Sequence, residues 1–204
     1  MDNMKPRREM PMGKDFAETV ELWKRAAEQG DGRCAVNLGL LHLGKPIPGK
    51  GKIGELPYDE KKALEYFNLG YEAGDMKAGR HIGLCYKDGT GVDQNAEKAY
   101  EWFLKAAERG DSSAKLLIAD SLLTGDGTEQ RVEEAIARYK ALADIKGHDT
   151  ANASYRLGCI YNEGVYTARD TALSRMYLEK TIASATDHEK DLAQKAKEIL
   201  STLN

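Results

Sequence analysis

Ser112-Ser113-Ala114-Lys115 sets a serine three residues before a lysine, the S-x-x-K arrangement that supplies the nucleophile of β-lactamases and related acyl-transfer enzymes. That chemistry also requires S-D-N and K-T-G elements, and neither tripeptide occurs in the chain. Ser112 and Ser113 stand where a helix begins, a position that favours serine for capping, so the structural reading is preferred. The four histidines, His42, His81, His148 and His188, are scattered and form no H-E-x-x-H. Cys34, Cys85 and Cys159 are odd in number and lack C-x-x-C spacing, which predicts buried thiols rather than disulfides or a zinc site. Gly89-Thr90-Gly91 is too short to cradle phosphate and follows no strand. Asn152-Ala153-Ser154 fits a glycosylation sequon but falls at a helix start. These residues predict no catalytic residue, no metal site and no cofactor, and hence a protein that is not an enzyme.

The elements that carry these residues repeat. Gly-Asp recurs at Gly30-Asp31, Gly74-Asp75 and Gly110-Asp111, with a looser Gly147-His148-Asp149, at spacings of 44, 36 and 37 residues. A second landmark moves with it: Leu38-Gly39, Ile82-Gly83, Ile118-Ala119 and Leu157-Gly158. In the clearest unit, Ala78, Ile82, Gly83 and Tyr86 share one helical face. Ala99, Trp102, Phe103, Ala106 and Ala107 share another. Gly89-Thr90-Gly91 supplies the turn between the two helices, and Gly110 closes the second. Small residues let the helices approach while Tyr86, Trp102 and Phe103 fill the space beside them. One such hairpin cannot bury its apolar surface alone and needs neighbours.

Composition agrees with a repeat array. Hydrophobic residues make up 41 % and charged residues 31 %, and Lys+Arg 30 against Asp+Glu 33 gives a formal charge of -3. That balance argues against a dedicated nucleic-acid binder. No apolar run reaches the ~18–20 residues of a membrane span, and Met1 to Lys14 has no apolar stretch behind its basic residues. The expectation is a cytoplasmic protein, or a periplasmic or secreted one if a signal has been removed.

The pattern Ala-x-x-x-Ile-Gly-x-x-Tyr-x-x-Gly-x-Gly-Val, then Ala-x-x-Trp-Phe-x-x-Ala-Ala-x-x-Gly-Asp, resembles the Sel-one-like repeat, a relative of the tetratricopeptide repeat. The resemblance covers about residues 16 to 185 and is nearly complete from Met76 to Asp111. It implies an all-α fold, a right-handed α-solenoid of antiparallel helix-turn-helix units, a bacterial source and a scaffold or adaptor role. Some secreted relatives are linked to penicillin binding, which makes a penicillin-binding or β-lactamase-like cell-wall activity the alternative. Those relatives carry paired cysteines in each unit, however, and Ala106-Ala107 stands where one would be sought.

The predicted organisation is a disordered or tag-like segment over 1–15 and a half-repeat or capping helix over 16–31. Repeats follow over 32–75, 76–111, 112–149 and 150–186, and a C-terminal capping helix over 187–204 with Asp187 as its N-cap. The first full repeat carries His42 for tyrosine and a basic insertion in a 44–57 loop, whose two prolines and several glycines cannot continue a helix. The third has Ala119 for glycine, Leu122 for tyrosine and Tyr139 in the place of Phe103. In the fourth the alanine pair becomes Thr181-Ile182.

Where Gly83 and its counterparts pack inward, helical geometry and the tetratricopeptide resemblance put another set of positions on a concave groove. They are Arg33, Val36, Leu40 and Leu43; Lys77, Arg80, Leu84, Lys87 and Asp88; Leu116 and Asp120; Tyr155 and Asn162. The first half of this set is basic and leucine-rich. The expected partner is a protein or peptide with acidic and apolar side chains, with no nucleic acid and no membrane insertion, bound by a monomer or weak dimer.

Overall fold

The computed structural model describes residues 10–47, 50–145, 147 and 149–203. Met1 to Glu9 of the expected N-terminal segment, Pro48 and Gly49 of the inserted loop, and His148 of the fourth Gly-Asp landmark lie outside them. Ten α-helices account for most of the described residues and fall into two compact units, residues 1–110 and 111–204. The first contains α1 (Phe16–Glu28), α2 (Gly32–His42), α3 (Glu60–Glu72), α4 (Ala78–Asp88) and α5 (Ala96–Glu108). The second contains α6 (Ser112–Thr124), α7 (Val132–Asp144), α8 (Thr150–Glu163), α9 (Thr171–Ser184) and α10 (Lys190–Thr202).

The Gly-Asp dipeptide works as a joint. Gly30, Gly74 and Gly110 adopt left-handed φ of 88°, 84° and 96° and end the helices before them, a backbone state that costs glycine little. The aspartate then caps the next helix: Asp31 accepts from the Arg33 and Cys34 amides, Asp75 from Lys77 and Ala78, and Asp111 from Ser113 and Ala114. Each hairpin also closes with one backbone bond. The amides of Asp59, Asn95, Arg131 and Asp170 donate to the carbonyls of His42, Tyr86, Leu122 and Tyr161 at 2.8–3.0 Å. Asp59, Asn95 and Asp170 go on to cap α3, α5 and α9.

In the first unit the glycine of each first helix is covered by the aromatic ring of its partner. A Cβ on Gly83 would lie 2.5 Å from the Phe103 ring, and one on Gly39 would lie 2.5 Å from the Phe67 ring. The hairpins therefore approach more closely than alanine permits. Trp102 and Tyr86 are only half-buried; Trp102 meets Tyr71 edge-on at 4.8 Å beneath Lys105. Gly91 has φ 71°, and a Cβ there would fall 2.4 Å from the Glu60 carbonyl oxygen. The hairpin turn thus rests on the backbone of α3, and the Gly91 amide donates to the Glu60 carboxylate at 3.1 Å. Trp23 is fully buried and its indole N–H donates to the Pro11 carbonyl at 2.7 Å, which holds the chain before α1 against that helix.

In the second unit Leu178 takes the place of the aromatic ring, its side chain 2.7 Å from where a Gly158 Cβ would be. Ala196 of α10 and Leu203 just after it pack on Leu178, with Tyr155, Ile182, Ile199 and Leu200 around them. Asp187 does not cap this helix. Thr186 instead heads a 3-10 turn over Asp187–Glu189 that leads into it, where Glu189 reaches back to the Thr186 amide and completes a capping box.

Candidate docking surface

On α4, Ala78, Ile82, Gly83 and Cys85 turn inward and are buried. Lys77, Arg80, Leu84 and Lys87 follow at intervals of three, four and three residues and share a second stripe. Lys77 and Asp88 are exposed; Arg80, Leu84 and Lys87 are half-buried. Beside this stripe the His81 ring stacks on Phe67 at 4.9 Å. Burial pushes its pKa down to about 3, with Arg80, Lys45 and Lys77 adding repulsion, so it is neutral at physiological pH.

Lys45 comes from the inserted loop. Gly44 has φ 64° and ends α2 in a Schellman turn, with Gly44 N–H to Leu41 O at 3.0 Å and Lys45 N–H to Leu40 O at 2.9 Å. Two residues on, Ile47 is 2 % exposed within the core of the unit and exchanges backbone hydrogen bonds with Gly51. The loop is therefore pinned, and Lys45 acts on both His81 and Cys85 of α4. The hairpin-closing bond from Asp59 to His42 survives, so the insertion leaves α2 and α3 paired.

The stripe on α2 differs. Val36 and Leu40 are 5 % and 4 % exposed, their surface spent on the core. Val36 meets α3, where Gly70 leaves room for it. Arg33 is half-buried and pairs with Asp31 at 3.2 Å, and Leu43 is half-buried. Asn37 donates to the Met10 sulfur at 3.0 Å.

In the second unit Leu116, Asp120, Tyr155 and Asn162 are all half-buried. The Asp120 carboxylate is already engaged: the Tyr139 hydroxyl donates to it at 2.5 Å and Arg156 pairs with it at 3.1 Å. Burial and the facing carboxylate push the Tyr139 hydroxyl well above the ordinary tyrosine range. Neither Tyr139 nor Arg156 stood out in the sequence as a partner of Asp120. Their spacing of 19 and 36 residues from it corresponds to the hairpin and to one repeat, the signal that would have linked them.

The residues with catalytic potential are used structurally. Ser112 and Ser113 both donate to the Asp149 carboxylate, at 2.5 and 3.0 Å, and Lys115 is exposed. His42 stacks on Tyr66 and bonds the Pro57 carbonyl, and His188 is exposed. Cys34 and Cys85 are buried, with thiols pushed up to about 12 and about 11, and Cys159 is partly covered. No group of three metal-ligating side chains converges among the described residues, and no helix among them is long and apolar enough to cross a membrane.

Comparison with known proteins agrees with this architecture. The Sel1 repeat matches residues 9–31, 34–75, 79–111 and 151–184, more than half of the chain. A protective antigen of uropathogenic Escherichia coli with an SLR fold superimposes with a TM-score of 0.68 at 27 % identity, over 85 % of this chain and 35 % of its own. A Sel1 repeat protein from Oxalobacter formigenes superimposes with a TM-score of 0.67 at 21 % identity, over 89 % of this chain and 70 % of its own. The DAP3-binding cell death enhancer 1 of Rattus norvegicus is 36 % identical over 76 residues. Those residues are 37 % of this chain and only 13 % of that relative. By repeat pattern and by fold, the chain belongs to the Sel1 repeat family.

Proposed function

We propose that this protein is a non-catalytic scaffold that docks a segment of another protein on the accessible stripe of α4. Sel1 repeats generally mediate protein–protein interaction, and the rat relative is named for binding another protein. The observation that carries the reading to a surface is the stripe on α4, where Lys77, Arg80, Leu84 and Lys87 stay accessible while the neighbouring faces pack into hairpins. A rigid helix that presents a leucine between cations suits a peptide with both apolar and charged side chains.

A photo-crosslinking residue in place of Leu84, and separately in place of Leu104 on the exposed side of α5, tests this. Phage-displayed random peptides of about a dozen residues, long enough to lie along one hairpin, would be selected on the whole chain. Cross-linking of a selected peptide through position 84 but not 104 is expected. Cross-linking through 104 alone would move the docking surface to the other helices and refute the assignment.

A further inference from the structure

We infer that α1 and α2 form a second docking site, which takes an extended methionine–proline–any residue–glycine segment of a partner protein. In the free chain this site is held shut by the chain's own Met10–Gly13. In α3 and α5, Ala63 with Phe67 and Ala99 with Phe103 face the glycine of a first helix, and none of the four has a polar side-chain atom. At the same two places α1 carries Thr19 and Trp23, and no first helix precedes it among the described residues. An extended segment lies there instead. The Trp23 indole N–H donates to the Pro11 carbonyl at 2.7 Å, and the Gly13 amide donates to Thr19 Oγ1 at 3.0 Å. From α2, the Asn37 amide donates to the Met10 sulfur at 3.0 Å. The Thr19 hydroxyl proton is spent on the Asp15 carbonyl, which leaves its oxygen to accept from Gly13. Thr19, Trp23 and Asn37 are all buried. Thr19 and Trp23 lie one helical turn apart, about 6 Å. Two extended residues, Gly13 back to Pro11, span about 7 Å, so the segment runs antiparallel to α1 in register with it.

The segment has the chemistry of a ligand. Pro11 fixes its own φ and drives Met10 toward extended backbone, so little freedom is lost on docking. Aromatic-lined grooves are a general way of holding such proline-bearing segments. Glycine is required at its end, because a Cβ on Gly13 would lie 2.6 Å from both the Thr19 amide nitrogen and the Glu18 Cβ. Yet the segment is not sealed in: Met10, Pro11 and Gly13 are half-buried and Met12 is exposed. Val20 and Ala27 hold α1 in the same core as α2, so the helix pair stays closed when the segment leaves. A segment tethered this closely acts at a roughly millimolar effective concentration and keeps out all but a tight competitor.

A fluorescein-labelled peptide with the sequence of residues 8–15 is the probe, read by fluorescence anisotropy against the full chain. Gly13→Val, which the contacts with Thr19 and Glu18 exclude from the seat, should release the chain's own segment. It should bind the probe at least about tenfold more tightly than the natural chain does. The same peptide with valine for its glycine should not bind. Trp23→Phe added to Gly13→Val keeps a ring but loses the indole donor, and should weaken the probe about fivefold. In NMR spectra the Trp23 indole N–H resonance, identified by its loss in Trp23→Phe, should move in Gly13→Val and return when the probe saturates. Phage-displayed peptides selected on Gly13→Val should enrich proline two places before glycine. Met10→Asp, which sets a charge against the same core, serves as a second release variant if Gly13→Val does not fold. Unfolding of both variants would make the segment part of the fold and overturn the proposal. So would an unmoved Trp23 resonance, a probe that binds neither variant, or enrichment of unrelated sequences. A natural-chain dimer in sedimentation that Gly13→Val dissolves would make a second copy the occupant and overturn the partner. None of these outcomes involves Leu84, so the α4 reading stands or falls by its own cross-linking.

Discussion

Lowering the pH should destabilise the first unit through His81, and the size of the effect follows from where the ring sits. In the native chain its pKa lies at about 3, because burial removes solvation and Arg80, Lys45 and Lys77 repel a further positive charge. In the unfolded chain it returns to about 6.5. Between these values the unfolded state binds a proton that the native state refuses. Stability is therefore complete above about pH 6.5 and declines as the pH falls. The slope contributed by one such group is half its limit of about 1.4 kcal/mol per pH unit at about pH 6.5 and approaches that limit below it, so the step from about pH 6.5 to 4.5 costs about 2 kcal/mol. Urea unfolding of the natural chain and of His81→Phe, which keeps a ring against Phe67, isolates this contribution. The two stability curves should run parallel above about pH 7 and diverge below about 6.5, with the natural chain losing more. An NMR titration placing His81 near its ordinary value in the folded chain, or curves that stay parallel to about pH 4.5, would refute the buried, cation-flanked environment.

Further predictions concern the hairpins. Gly91→Ala combines a left-handed φ with a Cβ 2.4 Å from the Glu60 carbonyl, and should cost about 2–4 kcal/mol in urea unfolding. Gly110→Ala, at φ 96° with open space around it, should cost only about 1 kcal/mol; equal losses would show that the contact with Glu60 is unimportant. Tyr139→Phe removes the hydroxyl that donates to Asp120 at 2.5 Å, for a loss of about 1–2 kcal/mol with Arg156 still in place. An unchanged unfolding midpoint would mean that water or Arg156 satisfies Asp120 unaided.

Much of this architecture is legible in the residues because its joints are local. Gly74 and Asp75 close one helix and cap the next through bonds that span a few residues, so the dipeptide announces the boundary wherever it recurs. The pairing of Gly83 with Phe103 is likewise set by a fixed spacing. The docking residues are less legible, because helical periodicity gives a face but not what covers it. Val36 and Leu40 hold the same register as Arg80 and Leu84, yet they are buried. Asp120 reads as an accessible acid until the hairpin brings Tyr139 to it and the next repeat brings Arg156. Lys45 reads as one basic residue in a long loop, and only the burial of Ile47 shows that the loop returns to the core. Asp187 falls inside a 3-10 turn before α10 because Glu189 reaches back to Thr186 and closes that turn ahead of the helix.

Hydrogen exchange of the whole chain, read by mass spectrometry with and without a saturating selected peptide, tests the central claim most directly. New protection is expected over residues 77–88, with the amides of α3 and α5 exchanging as in the free chain. Protection confined to α3, α5 or α10, with residues 77–88 exchanging as in the free chain, would contradict it.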